Sequence, residues 1–354
     1  MRCATCLSMN RCSDMKRILA ISEGDYWSDF RDALLDCLSE RGWRIELSGR
    51  LPTSRNIDLP LLVFGIHHYP ELIRKSFKHA VGIQTEQLAL VPDRISGRGH
   101  SNRRRILSLA THYDLVFEWS AHAFSSIHRG TNIRLLPYGF GALPDNGDPE
   151  PDYDAVFIGC VDDPRGRRRR LLKAVASSCK LYPHHEGLWG GARNRAIRSS
   201  KIVLNIHFDE SPAYESPRFA DAVANCRLFL TEPLSDSFPY VEGRDYAVFR
   251  DEEQLLANLG HYLRNPDERQ RVIESAVHAG GRYNRDVLLP MAALDIERAF
   301  SAPPKSLWHR SLLKLRSESH FGSRFCANLG SRLRRCIAIP GRHGESPGGS
   351  NLDH

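Results

Sequence analysis

Between an apolar start and a helical end, the stretch LNIHFDESPAYESPRFADAV (residues 204–223) carries His207, Asp209, Glu210 and Glu215. Ser216 suits a helix N-cap, and Pro217 suits the first helical position, where a missing N–H costs nothing. Phe219, Ala222 and Val223 then fall on one helix face. The polar residues therefore sit at the carboxyl end of a buried strand, beside a helix N-terminus. Free N–H groups and the helix dipole favour an anion there, and carboxylates beside them can accept hydrogen bonds from ribose or sugar hydroxyls. A plainer reading stands next to this one: Glu215 offsets the helix dipole, and Arg218 and Asp221 form a surface i,i+3 pair.

A second group is basic. Arg165, Arg167 and Arg168 follow the apolar run 153–159 and open a helical pattern, where they could meet phosphate charge. Arg169 and Arg170 fit a solvated helix face equally well. At apolar-run ends in the first half, His67, His68, Glu86 and His122 are the candidates for proton transfer. Other chemistries are excluded. ISEGDYW (21–27) has one glycine, so the dinucleotide fingerprint is missing after the first strand. Cys3 and Cys6 have metal-like spacing, but no second pair follows, so no metal is expected.

These residues need a scaffold, and the pattern supplies one. Strands are expected at 17–22, 44–48, 59–66, 80–85, 114–119 and 133–138, with helices at 25–43, 70–78 and 101–112. After a Pro/Gly/Asp-rich linker at 141–152 the alternation restarts. Strands are expected at 153–159, 180–185, 202–208, 227–232 and 246–250. The accompanying helices are 167–179, 191–201, 216–226, 251–264 and 266–282, with a last one at 288–300 that could pack back on the first half. Such βα alternation predicts two doubly wound parallel sheets, Rossmann-like domains at 15–140 and 153–300, with ligands in the cleft at their carboxyl ends.

With 354 residues, 41% hydrophobic and 26% charged, the chain is in the range of soluble proteins. The longest apolar run is too short to cross a bilayer, and a cytoplasmic location is expected. MKRILAIS from Met15 reads as the start of the first strand, so residues 1–14 are expected to be a disordered extension or to precede the true start. Net charge is +7, yet residues 301–354 hold nine Lys and Arg against three Asp and Glu, leaving +1 elsewhere. The basic excess belongs to that segment, which argues against nucleic acid binding by the folded body. The segment is expected to be mostly disordered. Its apolar clusters at 307–316 and 332–340 suggest weak peripheral contact with the inner face of a membrane.

The ordered motifs resemble those of group 1 glycosyltransferases, in particular the spore-maturation-protein-like branch. They are KIVLNIH (201–207), the helix start at 215–218, the strand ending at Glu232, GRDYAVFRDEEQL (243–255) and NPDER (265–269), with GIQTEQL, YDLVFEWS and LLPYGF upstream. The resemblance spans about residues 16–300. It implies the GT-B fold and a hexosyltransferase, with a nucleotide-diphosphate sugar held by the second domain and an unknown glycan, lipid or protein acceptor on the first. It implies retention of configuration and no cofactor or obligatory metal. Carried over residue by residue, Glu215, Ser216 and Arg218 stand at the donor helix, with His207 before them. Glu232 ends the next strand, and Arg165, Arg167 and Arg168 form the basic turn. Glu86 and His67 are the catalytic candidates in the first domain. The chain departs from the pattern twice: Val223 replaces a second glutamate eight residues after Glu215, and Cys226 stands where glycine is common. Those departures leave open a catalytically inactive binding protein.

Overall fold

The computed structural model describes residues 16–24, 27–85, 106–125, 132–141, 150–163, 165–183, 187–208, 216–235 and 237–303. Continuous apolar runs form the strands, as expected where both faces of a sheet are covered. In the first half β1 (Lys16–Ser22), β2 (Trp43–Ser48), β4 (Leu61–Phe64), β6 (Ala80–Ile83), β7 (Leu115–Glu118) and β8 (Ile133–Leu135) make one parallel sheet in the order β2-β1-β4-β6-β7-β8. Two short strands, β3 (Asn56–Ile57) and β5 (Ser76–Phe77), pair beside it. The second half builds a four-stranded parallel sheet, β12-β11-β10-β9, from β9 (Tyr153–Phe157), β10 (Ser200–Asn205), β11 (Leu228–Thr231) and β12 (Ala247–Val248).

The helices are α1 (Ser28–Glu40), α2 (Ala121–Ser125), α3 (Arg167–Ser178), α4 (Gly190–Arg198), α5 (Ser216–Ala224), α6 (Glu252–Arg264), α7 (Pro266–Gly280) and α8 (Arg285–Ser301); residues 106–110 are also helical. Two expectations fail locally. The helix expected at 70–78 is two 3-10 turns, Ile66–His68 and Pro70–Arg74, followed by β5. Lys75 is extended there, and its Nζ donates to the carbonyls of Pro52 and Ser54 at 2.6 and 2.9 Å, which draws the segment out of helix. In the described part of the strand expected at 180–185, residues 180–183, pairing is limited to one bridge between Ala155 and Leu181. Pro183 has no N–H with which to extend it.

The two halves share one apolar cluster that includes Trp27, Phe30 and Tyr138 from the first and Ile197, Phe219 and Tyr240 from the second. The chain returns at Asn284, which bridges Phe140, and α8 then lies along α1. Trp43 Nε1 and Arg41 Nε donate to Glu297 at 3.0 and 2.8 Å, and the Trp43 and Phe300 rings pack at 5.6 Å. Burial opposes ionisation of Glu297, but these donors hold its carboxyl below the ordinary value. Among the described residues, no helix is long and apolar enough to cross a membrane.

Candidate active site in the interdomain cleft

The carboxyl ends of β9, β10 and β11 come together around α3. Asp163 sets the start of that helix: one carboxylate oxygen accepts from the main-chain N–H groups of Arg165 and Arg167 at 3.0 and 3.1 Å, the other from Arg168 N–H at 2.5 Å. Burial pushes this carboxyl up, yet the three N–H donors and the nearby Arg167 charge bring it below its usual range. The free N–H groups at the start of α3 are therefore already used. The sequence reading missed Asp163, although an aspartate a few residues before a helical run is a recognisable capping signal.

The arginines of this turn divide by role. Arg168 is buried, and its guanidinium donates to the carbonyls of Cys160 (2.6 Å), Ile206 (2.6 Å) and His207 (3.3 Å) while lying over the Phe157 and Phe208 rings. It ties two strand ends together, which moves it from the group expected to meet phosphate to the group that shapes the turn. Arg167 is part-exposed; it donates to His207 O at 2.7 Å and pairs with Glu232. Arg165 is exposed. Arg169 and Arg170 pair with Asp162 and Glu252 on the outer face, which is the solvated reading.

Glu232 also accepts from the His207 main-chain N–H at 2.6 Å, and the His207 ring meets Pro233 O through Nε2 at 3.1 Å. His207 and Glu232 thus brace neighbouring strand ends. Asn205, fully buried, donates to Thr231 Oγ1 at 2.8 Å and accepts from Arg218. Arg218 projects over Phe157 toward Gly159, whose φ of +147° suits glycine. A Cβ at Gly159 would come within 3.2 Å of Arg218 Nη2 and 3.7 Å of Arg168 Nη1. Glycine at this turn is what lets two guanidinium groups approach the chain closely.

The surface i,i+3 pair of Arg218 and Asp221 does not form. Asp221 is buried and pairs with Arg193 of α4 at 3.1 Å, and Arg193 reaches Asp29 of α1 at 3.4 Å, an ion pair across the two halves. Val223 is a core residue. Cys226 has φ +50°, with its N–H on Val223 O and the Arg227 N–H on Ala222 O. That is the left-handed residue that closes a helix, which explains why glycine suits the position. The Cys226 departure concerns the end of α5 and is no sign of a degraded site.

A small cleft lies where the sheet ends of the two halves face each other. Trp119 and Ala121 line it from the end of β7, Tyr138 and Gly139 from beyond β8, and Ser216 and Ala220 from α5. Ser216 Oγ and Trp119 Nε1 are both buried and have no hydrogen-bond partner among the described residues. A bound hydroxylated molecule would supply what they lack. In the first half, His67 and His68 follow β4, their rings 3.9 Å apart, and His68 Nδ1 lies 3.6 Å from Glu23 at the end of β1. Glu86, Glu215 and the His122 side chain lie outside the described residues. Among the described residues, no group of three or more His, Cys, Asp or Glu could hold a metal.

The fold is that of GT-B proteins. A sucrose-phosphate synthase from Thermosynechococcus elongatus superposes with a TM-score of 0.56 at 11% identity, covering 81% of this chain and 99% of that one. A UDP-forming α,α-trehalose-phosphate synthase from Burkholderia xenovorans gives 0.54 at 10% identity, covering 81% and 100%. Anabaena HepE in complex with UDP-glucose gives 0.52 at 10% identity, covering 80% and 99%. No curated protein matches the chain in sequence. Residues 167–284 match a family described as glycosyl transferase-like.

Proposed function

We propose that the chain moves a hexose from a nucleotide-diphosphate sugar to a hydroxyl of a glycan, lipid or protein acceptor, and that it belongs to the spore-maturation-protein-like branch. The observation that carries this reading is the basic turn 159–168 with Arg218, set beside a cleft that buries Ser216 Oγ and Trp119 Nε1 without partners. The diphosphate would lie against Arg167 and Arg218, with Arg165 at the rim, and the sugar would reach Ser216 and Glu215 at the start of α5. As the glycosidic bond breaks, negative charge grows on the leaving diphosphate. Fixed guanidinium groups would stabilise it with little rearrangement. The chemistry asks for no cofactor or metal beyond the donor itself.

The family resemblance supports retention of configuration. Glu86 and His67, with His68 and Glu23, would orient the acceptor hydroxyl or take its proton. The HepE complex makes UDP-glucose the first donor to try. Segment 301–354 would add weak electrostatic attachment to an anionic surface, at about 1 kcal/mol per basic residue near it. A second reading, nucleotide-sugar binding without turnover, draws on Val223 in the core and Asp221 in an ion pair, which leave α5 without a second acid at the expected place.

A panel of UDP- and GDP-sugars separates the two. The enzyme should release free nucleotide from at least one of them slowly, and faster with acceptor. Binding with no turnover across donors and acceptors would favour the second reading. Glu215→Gln should lower turnover and leave Tm nearly unchanged; full activity would return Glu215 to the role of a dipole partner.

A further inference from the structure

The two halves share an apolar cluster, yet a chain of charges crosses between them as well. Arg193 of α4 is buried, with its guanidinium 3.1 Å from Asp221 of α5 and 3.4 Å from Asp29 of α1. Asp221 is buried too, and the two opposite charges already neutralise each other. Asp29 is therefore not needed to offset a buried charge. Its contact with Arg193 adds a link between the halves.

Asp29 comes close to α4 where that helix begins with glycine. Gly190 has φ +52°, and a Cβ there would stand 3.4 Å from Asp29 Oδ1 and 3.7 Å from Ser28 Oγ. The carboxylate thus sits at the N-terminal end of α4, which the helix dipole favours. A second set of contacts ties α4 to α5. Asn225, buried just past the end of α5, donates to Asn194 Oδ1 at 3.0 Å and accepts from Arg198 Nε at 3.1 Å. The two helices are held as a pair, and Asp29 links that pair to the first half. At the other end of α5, Ser216 lines the cleft opposite Trp119 and Tyr138 of the first half.

We propose that the chain Asp29–Arg193–Asp221 positions α5 against the first half, so that the sugar reaching Ser216 faces the acceptor in the orientation that transfer needs. A buried ion pair adds little stability over an apolar residue of similar volume. What a guanidinium between two carboxylates adds is direction, because its hydrogen bonds fix angles that an apolar contact leaves loose. The three are positioning residues that act through α5. The chemistry in this proposal rests on the proposed function; the geometry rests on the ion pairs alone.

Arg193→Ala would strand Asp221 in the core and mix positioning with folding. Asp29→Asn avoids that, because Asp29 is 26% exposed and its loss leaves the buried Arg193–Asp221 pair in place. Tm should stay near wild type. So should UDP affinity by calorimetry, since Arg167 and Arg218 are held within the second half by Glu232 and Asn205. Acceptor-dependent turnover, with UDP-glucose or the donor that the panel identifies, should fall by about ten-fold or more, as expected for misplaced reactants. Asp29→Glu keeps the charge and should restore most of it. Hydrogen exchange, which needs no turnover, should quicken in the first turns of both α1 and α4 of Asp29→Asn. Wild-type transfer by Asp29→Asn, a parallel loss of UDP affinity, or unchanged exchange in those turns would overturn the proposal. If wild type turns over no donor at all, it is the proposed function that fails, and the exchange result alone decides whether this chain of charges holds α4 and α5 to the first half.

Discussion

The strand ends of the two sheets are built differently. In the C-terminal half nearly every polar group is engaged with another: Asp163 with three N–H groups, Arg168 with three carbonyls, Glu232 with Arg167 and His207, Asn205 with Thr231 and Arg218. In the N-terminal half the side chains of His68 and Glu23 are 44% and 63% exposed and meet at 3.6 Å. The C-terminal half fixes its charges before a ligand arrives; the N-terminal half buries Glu118, which accepts from Ser120 N–H at 2.9 Å, but leaves His68 and Glu23 exposed. In the proposed function, fixed charge would suit the constant part of the substrate, the diphosphate, and exposed groups the part that varies, the acceptor. Pre-organisation of this kind is where electrostatic stabilisation is strongest, because the groups need not reorganise during the reaction.

Breaking the fixed side should cost most. Arg168→Ala leaves three carbonyls at the ends of two strands without their donor and should destabilise the protein by roughly 3 kcal/mol or more. Arg168→Lys should restore little of it, since one ammonium cannot span the three carbonyls that a planar guanidinium reaches. Chemical denaturation checks both, and near-wild-type stability of the alanine variant would make the two halves equivalent.

Asp163→Asn should come next, at about 1–2 kcal/mol at pH 7. The sign with pH follows from the lowered carboxyl. Its contribution is complete above the ordinary aspartate value of 3.8 and is lost as pH falls through the lowered one. The Tm gap between wild type and Asp163→Asn should therefore be constant at neutral pH and close in acid. A gap that persists unchanged at the lowest pH would show that the carboxylate charge is not what holds the turn.

Cys226→Gly should work in the other direction and stabilise by up to about 1 kcal/mol, by relieving a left-handed backbone at a residue with a side chain. The smallest stability effect belongs to the exposed side. His68→Ala and Glu23→Gln should each stay within about 0.5 kcal/mol of wild type, while acceptor-dependent turnover falls and donor hydrolysis does not. Equal loss of both activities would place these residues on the donor side and blur the distinction between the halves.

Much of the scaffold could be read from the sequence. LLVF (61–64) and IVLN (202–205) announce strands buried on both faces, and Ser216–Pro217 announces the start of α5. Less legible was which polar residues serve the fold and which face the cleft. Arg167 and Arg168 are neighbours of one type, yet a helix turns successive side chains by about 100°, so one is buried on carbonyls and the other stays part-exposed. The element 243–251 shows the same thing. Asp245, which read as part of a family motif, accepts from Val241 N–H and Ser275 Oγ at 2.8 and 2.6 Å. Asp251 caps α6 through Gln254 N–H at 2.8 Å. The Asp251 cap is local and readable, but a partner such as Ser275 depends on which distant segments meet, and spacing along one chain does not encode that directly.

In the proposed function the turn that leads into α3 receives the diphosphate through Arg167. Calorimetry on wild type and Arg167→Ala, titrated with UDP or GDP and with the matching nucleoside, tests it most directly. Diphosphate affinity should fall about ten- to a hundred-fold, as expected for loss of a charged hydrogen bond, while nucleoside affinity stays unchanged. Equal losses for both ligands, or no loss for either, would contradict it.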